Sequence, residues 1–146
     1  MEKKFRSINA IFAILEQDNK ILLQKRQNTG YMDGLWDVSV SGHVEKNEPI
    51  SSTVTREIKE EIGIEVTKEN IEFVSFEHNY LLGIAHCNFY FKILKFEGVP
   101  HICEVEKCSD LKWFNINKLP EDMIFNRKIV IQNYLKGINY NETNWA

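Results

Sequence analysis

Apolar positions fall into short extended runs broken by two stretches of helical spacing. Residues 8–15 are apolar and β-prone. Gln17, Asp18, Asn19 and Lys20 read as a turn, and residues 21–26 as the second strand of a hairpin. Residues 28–34 read as a loop. Residues 35–41 are extended, with Trp36, Val38 and Val40 alternating against Asp37, Ser39 and Ser41. Residues 71–78 and 84–96 predict two more strands, the second carrying Phe89, Tyr90, Phe91, Ile93 and Leu94, and residues 111–114 a short one. Two segments have helical spacing: Val54, Ile58 and Ile62 recur every four residues, and Ile124, Ile131 and Leu135 share one face of a segment from about 121 to 135. Strands interrupted by two helices predict an α/β fold, a mixed sheet with helices on both faces. Proline occurs only at 49, 100 and 120, with no repeat or low-complexity tract, so residues 1–146 read as a single domain.

The first helix carries the chemistry. Residues three and four apart share a helix face, so Glu57, Glu60 and Glu61 project from one side. Like charges at that spacing destabilise a helix by a few tenths of a kcal/mol. Glu48 or Asn47 is placed to cap this helix, Pro49 suits its first turn and Gly63 its end. Hard divalent cations take oxygen ligands, and magnesium is commonly held by one or two carboxylates together with substrate phosphates. Three carboxylates from one helix, with Glu48 ahead of them, suit a divalent metal and a polyphosphate. Arg56 is placed to hold Glu57 in one rotamer through charge-assisted bonds.

Composition narrows the partners. The 146 residues are 43% hydrophobic and 27% charged, an ordinary globular balance. A net charge of -3 gives no electrostatic case for wrapping a DNA duplex. Cys87, Cys103 and Cys108 are odd in number and lack C-x-x-C spacing, which fits reduced thiols in a cytoplasmic protein. The apolar run at 8–15 is too short to span a membrane, so none is expected as a partner.

Residues 42–64 resemble the Nudix box, G-x5-E-x7-R-E-U-x-E-E-x-G-U, where U is bulky and aliphatic. Gly42, Glu48, Arg56, Glu57, Ile58, Glu60, Glu61, Gly63 and Ile64 meet every fixed position. The resemblance implies the Nudix fold, an α/β/α sandwich around a central mixed β-sheet, and a metal-dependent hydrolase. Such an enzyme cleaves the diphosphate bond of a nucleoside diphosphate linked to another moiety. Nucleoside triphosphates, oxidised dNTPs among them, are one such class. It implies Mg2+ or Mn2+ at Glu57, Glu60 and Glu61, with Glu57 as first choice of base and Arg56 as its orienting partner. It also implies a monomer or homodimer.

The same resemblance reaches the flanks. Leu22, Leu23, Gln24, Lys25 and Arg26 resemble a stretch in which the last basic residue contacts substrate phosphate. Glu104, ahead of Glu106, resembles an extra metal ligand outside the box. Trp113 and Phe114, followed by Leu119 and Pro120, resemble a W-F…L-P pattern, and Trp113 is a candidate to stack on substrate. Just before the box the chain departs from the W-x-x-P-G-G of many relatives: it reads Trp36, Asp37, Val38, Ser39, Val40, Ser41, Gly42. The backbone carbonyl that ligates metal there would come from Ser41.

Two other functions stay open. The Trp36–Gly42 stretch also resembles isopentenyl diphosphate isomerases, but the cysteine context those enzymes use is missing around Cys87. A non-catalytic sensor of the same fold would commonly have lost box carboxylates, and here all are present.

Overall fold

The structure, a computed structural model, describes residues 3–145. Its elements are β1 (Ile8–Gln17), β2 (Lys20–Arg26), β3 (Trp36–Val38), β4 (Val40–His43), α1 (Ile50–Ile62), β5 (Ile71–Leu81), β6 (Ile84–Ile93), β7 (Cys108–Asn115), α2 (Phe125–Leu135) and β8 (Tyr140–Thr143). β1 is the hinge of the sheet. It pairs in parallel with β6 and antiparallel with β4, while its last two residues turn into β2. β2 then pairs with β3 and β7, and β5 joins β6 to β8. The α/β architecture and mixed sheet match the sequence expectation.

Alternation along β1 builds two cores. Ala10, Phe12 and Ile14 face Val130 and Ile131 of α2. Ile11, Ala13 and Leu15 face Val54, Ile58 and Ile62 of α1. A strand buried on both faces must be apolar at every position, which is why residues 10–15 read as an unbroken run.

Five details differ from the expectation. The strand expected at 35–41 breaks at Ser39: β3 pairs with β2 and β4 with β1. Asp37 and Ser39, the polar members of that alternation, are buried with the rest. α2 starts at Phe125 rather than near 121, and its core contacts come from Val130 and Ile131 while Leu135 is exposed. No side chain caps α1. Pro49 occupies the cap position itself, and Glu48 is turned instead toward Arg56. β8 had no signal beyond Tyr140 and Thr143 in a polar tail, and its place is set by parallel pairing with β5.

Candidate active site

The chain enters α1 through β4, and that junction sets the acids in place. Gly42 in β4 lies against the Glu57 side chain: a Cβ at this position would come within 2.7 Å of Glu57 Cγ and Oε1. At the other end of α1, Gly63 adopts φ 70° and donates its N–H to the Lys59 carbonyl. A Cβ there would also meet the His101 ring, 2.7 Å from Nε2. Both box glycines are therefore required by close approach, Gly63 by its backbone as well.

Arg56 is the organising cation. Its Nε donates to Glu48 Oε2 at 2.7 Å and its Nη2 to Glu48 Oε1 at 3.0 Å, a two-pronged fork. Its Nη1 donates to Glu57 Oε1 at 2.6 Å and to Glu60 Oε2 at 3.2 Å. Glu48 also accepts from the Thr53 hydroxyl (2.6 Å) and the Glu45 N–H (3.1 Å). Arg56, then Thr53, hold the Glu48 carboxyl down to about 2. Glu48 thus anchors Arg56, and Arg56 aims Glu57.

Glu61 is the uncompensated acid. Its Oε1 lies 3.5 Å from the Ser41 N–H, while its Oε2 is buried with no hydrogen-bond partner among the described residues. Burial pushes this carboxyl well above the usual range, the adjoining Glu57 carboxylate adds to it, and Glu104 acts in the same direction. A buried orphan carboxylate oxygen beside a second carboxylate is costly unless a cation completes it. Among the described residues no three acidic, His or Cys side chains converge as a ready-made metal cage. The donor set is thus partial, of the kind magnesium completes with water and phosphate.

These groups line a cavity of about 500 Å3 together with Ser41, Glu104, Arg26, Gln24, Ser39 and Lys107. Glu57, Glu60, Glu61, Arg56, Ser41 and Glu104 are thereby brought together. Glu48 stands behind Arg56 rather than on the cavity wall, and Glu106 does not line it either. Arg26 lines the cavity with its nitrogens already engaged, on the Tyr31 carbonyl (2.9 Å), Thr29 hydroxyl (3.1 Å) and Asp37 (3.3 Å). It thus also holds the loop at 27–35. Trp113 is not on this wall. It packs against the α1-side core, paired across the strands with Leu22.

Sequence reasoning missed a buried polar network. Asp37 sits between Arg26 and Arg127, the latter donating from Nε at 3.1 Å. Glu77 accepts from Asn88 (3.1 Å), Tyr90 (2.9 Å), Asn126 (2.8 Å) and Thr143 (2.6 Å). These residues come from six elements spread along the chain; Arg26 carried a signal only as a phosphate contact, and Asp37 only as an acid flanked by Trp36 and Val38. The three cysteines are free. No helix among the described residues is long and apolar enough to cross a membrane.

Comparison with known proteins agrees with this layout. The NAD-capped RNA hydrolase NudC of Pseudomonas aeruginosa is 28% identical over 116 residues, covering 76% of this chain and 37% of that protein. The CTP pyrophosphohydrolase of Escherichia coli is 40% identical over 62 residues, covering 42% of this chain and 45% of that one. The chain thus spans less than half the length of either curated relative. A MutT NUDIX hydrolase from Burkholderia pseudomallei superposes with a TM-score of 0.78 at 25% identity, over 87% of this chain and 97% of that one. The E. coli ORF135 protein does so at 0.76 and 25%, over 90% and 91%. The family model described as the NUDIX domain matches residues 5–134, which takes in both cores and the whole acid helix, so this chain belongs to the Nudix hydrolase family.

Proposed function

We propose that this chain is a metal-dependent hydrolase, acting as one catalytic domain, that cleaves a pyrophosphate bond in a nucleotide derivative. The carrying observation is the buried, unpartnered Glu61 Oε2 beside Glu57, in a cavity that also holds Glu60, Glu104 and Ser41. Glu57, Glu60 and Glu61 would hold Mg2+ or Mn2+, with the Ser41 carbonyl and Glu104 as further oxygen donors. The bound metal would neutralise phosphate oxygens and lower the pKa of a water.

The chain's own groups do the rest. Arg56 fixes Glu57 by one oxygen, leaving Oε2 to accept the proton of the attacking water. Lys107 and Arg26 line the same cavity and would add positive charge along a bound phosphate chain. The names of the relatives, a CTP pyrophosphohydrolase and a hydrolase of NAD-capped RNA, support a nucleoside diphosphate linked to a further group as the substrate class. An intact acid set speaks for turnover over a sensor that only binds.

The test is release of phosphate, pyrophosphate or nucleoside monophosphate from a nucleotide panel with Mg2+, beside Glu57→Gln. The variant is expected to lose about 10²–10⁴-fold in kcat while keeping the wild-type melting temperature. Undiminished turnover in Glu57→Gln would refute the assignment, and binding across the panel without turnover in the wild type would favour the sensor.

A further inference from the structure

β5, β6 and β8 carry their polar and apolar halves the wrong way round for a sheet with one face in water. The half on the α2 side is largely polar, and Ser75, Glu77, Asn79, Asn88, Asn141 and Thr143 are buried there. The half on the α1 side is aromatic: Phe73 and Phe76 on β5, Phe89 and Phe91 on β6, and Tyr140 on β8. An antiparallel sheet with one solvated face reads apolar inward and polar outward. The extra residue Val74 forms a bulge that brings Phe73 back onto the face of Phe76.

The rings form one array. Phe73 lies 5.8 Å from Phe91 and 6.4 Å from Phe89 between centroids, Phe89 lies 5.3 Å from Phe76, and Phe76 stacks on Tyr140 at 5.9 Å. From Phe76 the array continues through His78 (6.3 Å) to Trp145 (4.7 Å) and on to Tyr80 (5.0 Å). The Trp145 indole N–H donates to the His78 carbonyl at 2.8 Å, which ties that ring to β5. α1 packs over β4 and β1 and does not cover the array: Phe73 is 51%, Tyr140 55%, Trp145 45% and Tyr80 41% exposed.

We propose that this face is where two copies of the chain meet, sheet against sheet. Size is the first argument. An aromatic side chain carries about 150–250 Å2, so the rings at their observed exposures present about 500 Å2 of contiguous surface per chain. A stable interface takes about 800 Å2 from each partner. The array supplies about 60% of that, close to the apolar share of homodimer interfaces, about 65%, and a polar rim supplies the rest. Charge is the second argument. No lysine or arginine belongs to the array, and the carboxylate at its edge, Glu142, accepts from the Tyr140 hydroxyl at 2.6 Å. A nucleic acid or an anionic membrane finds no cation here, and a net charge of -3 repels both. A second copy needs no cation, because an isologous interface sets the same neutral rings against themselves across a twofold axis. None of these residues lines the acid cavity, so pairing is separable from turnover.

The experiment is sedimentation velocity on the full chain from about 1 to about 100 µM, a range that brackets a micromolar interface of this size. Tyr140→Ala and Phe73→Glu are run beside wild type, with Phe125→Ala as the control, an aromatic on α2 that is 74% exposed and outside the array. Wild type is expected to pass from one chain mass to two across the series. Each substitution occurs twice in a twofold dimer, so a loss of about tenfold per site should weaken association about a hundredfold in Tyr140→Ala. Phe73→Glu should weaken it further by setting like charges face to face. Phe125→Ala should associate as wild type does. Both altered face residues are half exposed, so the variants should melt near wild type at low concentration, and only wild type and Phe125→Ala should melt higher as concentration rises. A wild type that stays at one chain mass throughout would overturn the proposal, as would dimers unchanged in both face variants or weakened equally in Phe125→Ala. Monomeric wild type that binds an oligouridylate or phosphatidylserine vesicles, with binding lost in Tyr140→Ala, would overturn it in favour of that occupant.

Discussion

Gly42→Ala isolates the aim of Glu57 from its charge. The backbone of β4 is extended here, so alanine meets no conformational penalty, and the effect comes from contact alone. The new methyl would sit within 2.7 Å of Glu57 Cγ and Oε1, about 1 Å inside ordinary contact. Its neighbour on that side is a helix-borne side chain already fixed at 2.6 Å by Arg56, so relief must come from rotating Glu57 out of its well. An off-rotamer side chain costs about 0.5–1.5 kcal/mol, and small overpacking about 1–3. A loss of about 1–2 kcal/mol follows, a fall in melting temperature of a few degrees for a chain of this size. Activity should fall further, since a displacement of about 1 Å in a positioning group costs on the order of 10²-fold. Turnover on the best substrate, Mn2+ binding by calorimetry and thermal melting are measured on the same preparations. In a Glu57→Ala background the same substitution should cost almost nothing further, because the group it displaces is gone. Wild-type turnover and metal affinity in Gly42→Ala would refute the reasoning, and so would full additivity with Glu57→Ala.

Three further outcomes follow from the same geometry. The Glu48 carboxyl is depressed to about 2 in the folded chain, so its stabilising contribution is present above the unfolded value near 4.5 and lost as pH falls toward 2; the melting-temperature gap between wild type and Glu48→Gln should be constant from pH 7 to 5 and close below pH 4. Arg127→Met leaves Asp37 and Glu77 buried beside an apolar side chain, and denaturant unfolding should show a loss of about 3–5 kcal/mol. Gly63→Ala meets both the φ of 70° and the His101 ring, costing about 1–3 kcal/mol in the same assay; His101→Ala in that background should return the contact part and not the backbone part.

What the sequence shows follows the range of the interaction. α1 was legible because spacing of three and four within one segment sets both its buried stripe and its acid face, with no distant partner needed. β1 was legible because both of its faces are covered, so its run of apolar residues needs no phase. The break at Ser39 was not legible. Val38 and Val40 keep the same alternation whether one strand continues or two strands diverge to different partners, and the partners β2 and β1 lie elsewhere in the chain. Arg127 illustrates the limit: on α2 it reads as a surface cation, and only packing sets it under Asp37 and Glu77. Trp113 is the opposite case, since its family pattern invites a substrate role while its pairing with Leu22 puts it against the core.

The placement of the acids along α1 argues that the site is selected against folding interest. A helix carries partial negative charge at its C-terminal end, where a carboxylate loses about 0.3–1 kcal/mol and a cation gains as much. α1 has no acid in its first turn, where one would help, and Glu60 and Glu61 lie in its last, with Glu57 one turn before. Arg56 answers this only in part: it reaches Glu57 and Glu60 and leaves Glu61 untouched. The remaining charge is the one that is buried. A redesign for stability alone would therefore replace Glu61 first, and Glu61→Gln should be at least as stable as wild type in metal-free buffer. Metal should then stabilise the wild type far more than the variant, so the order of the two melting temperatures should reverse on adding Mn2+. If the order is the same with and without the ion, the acids are not there to hold one.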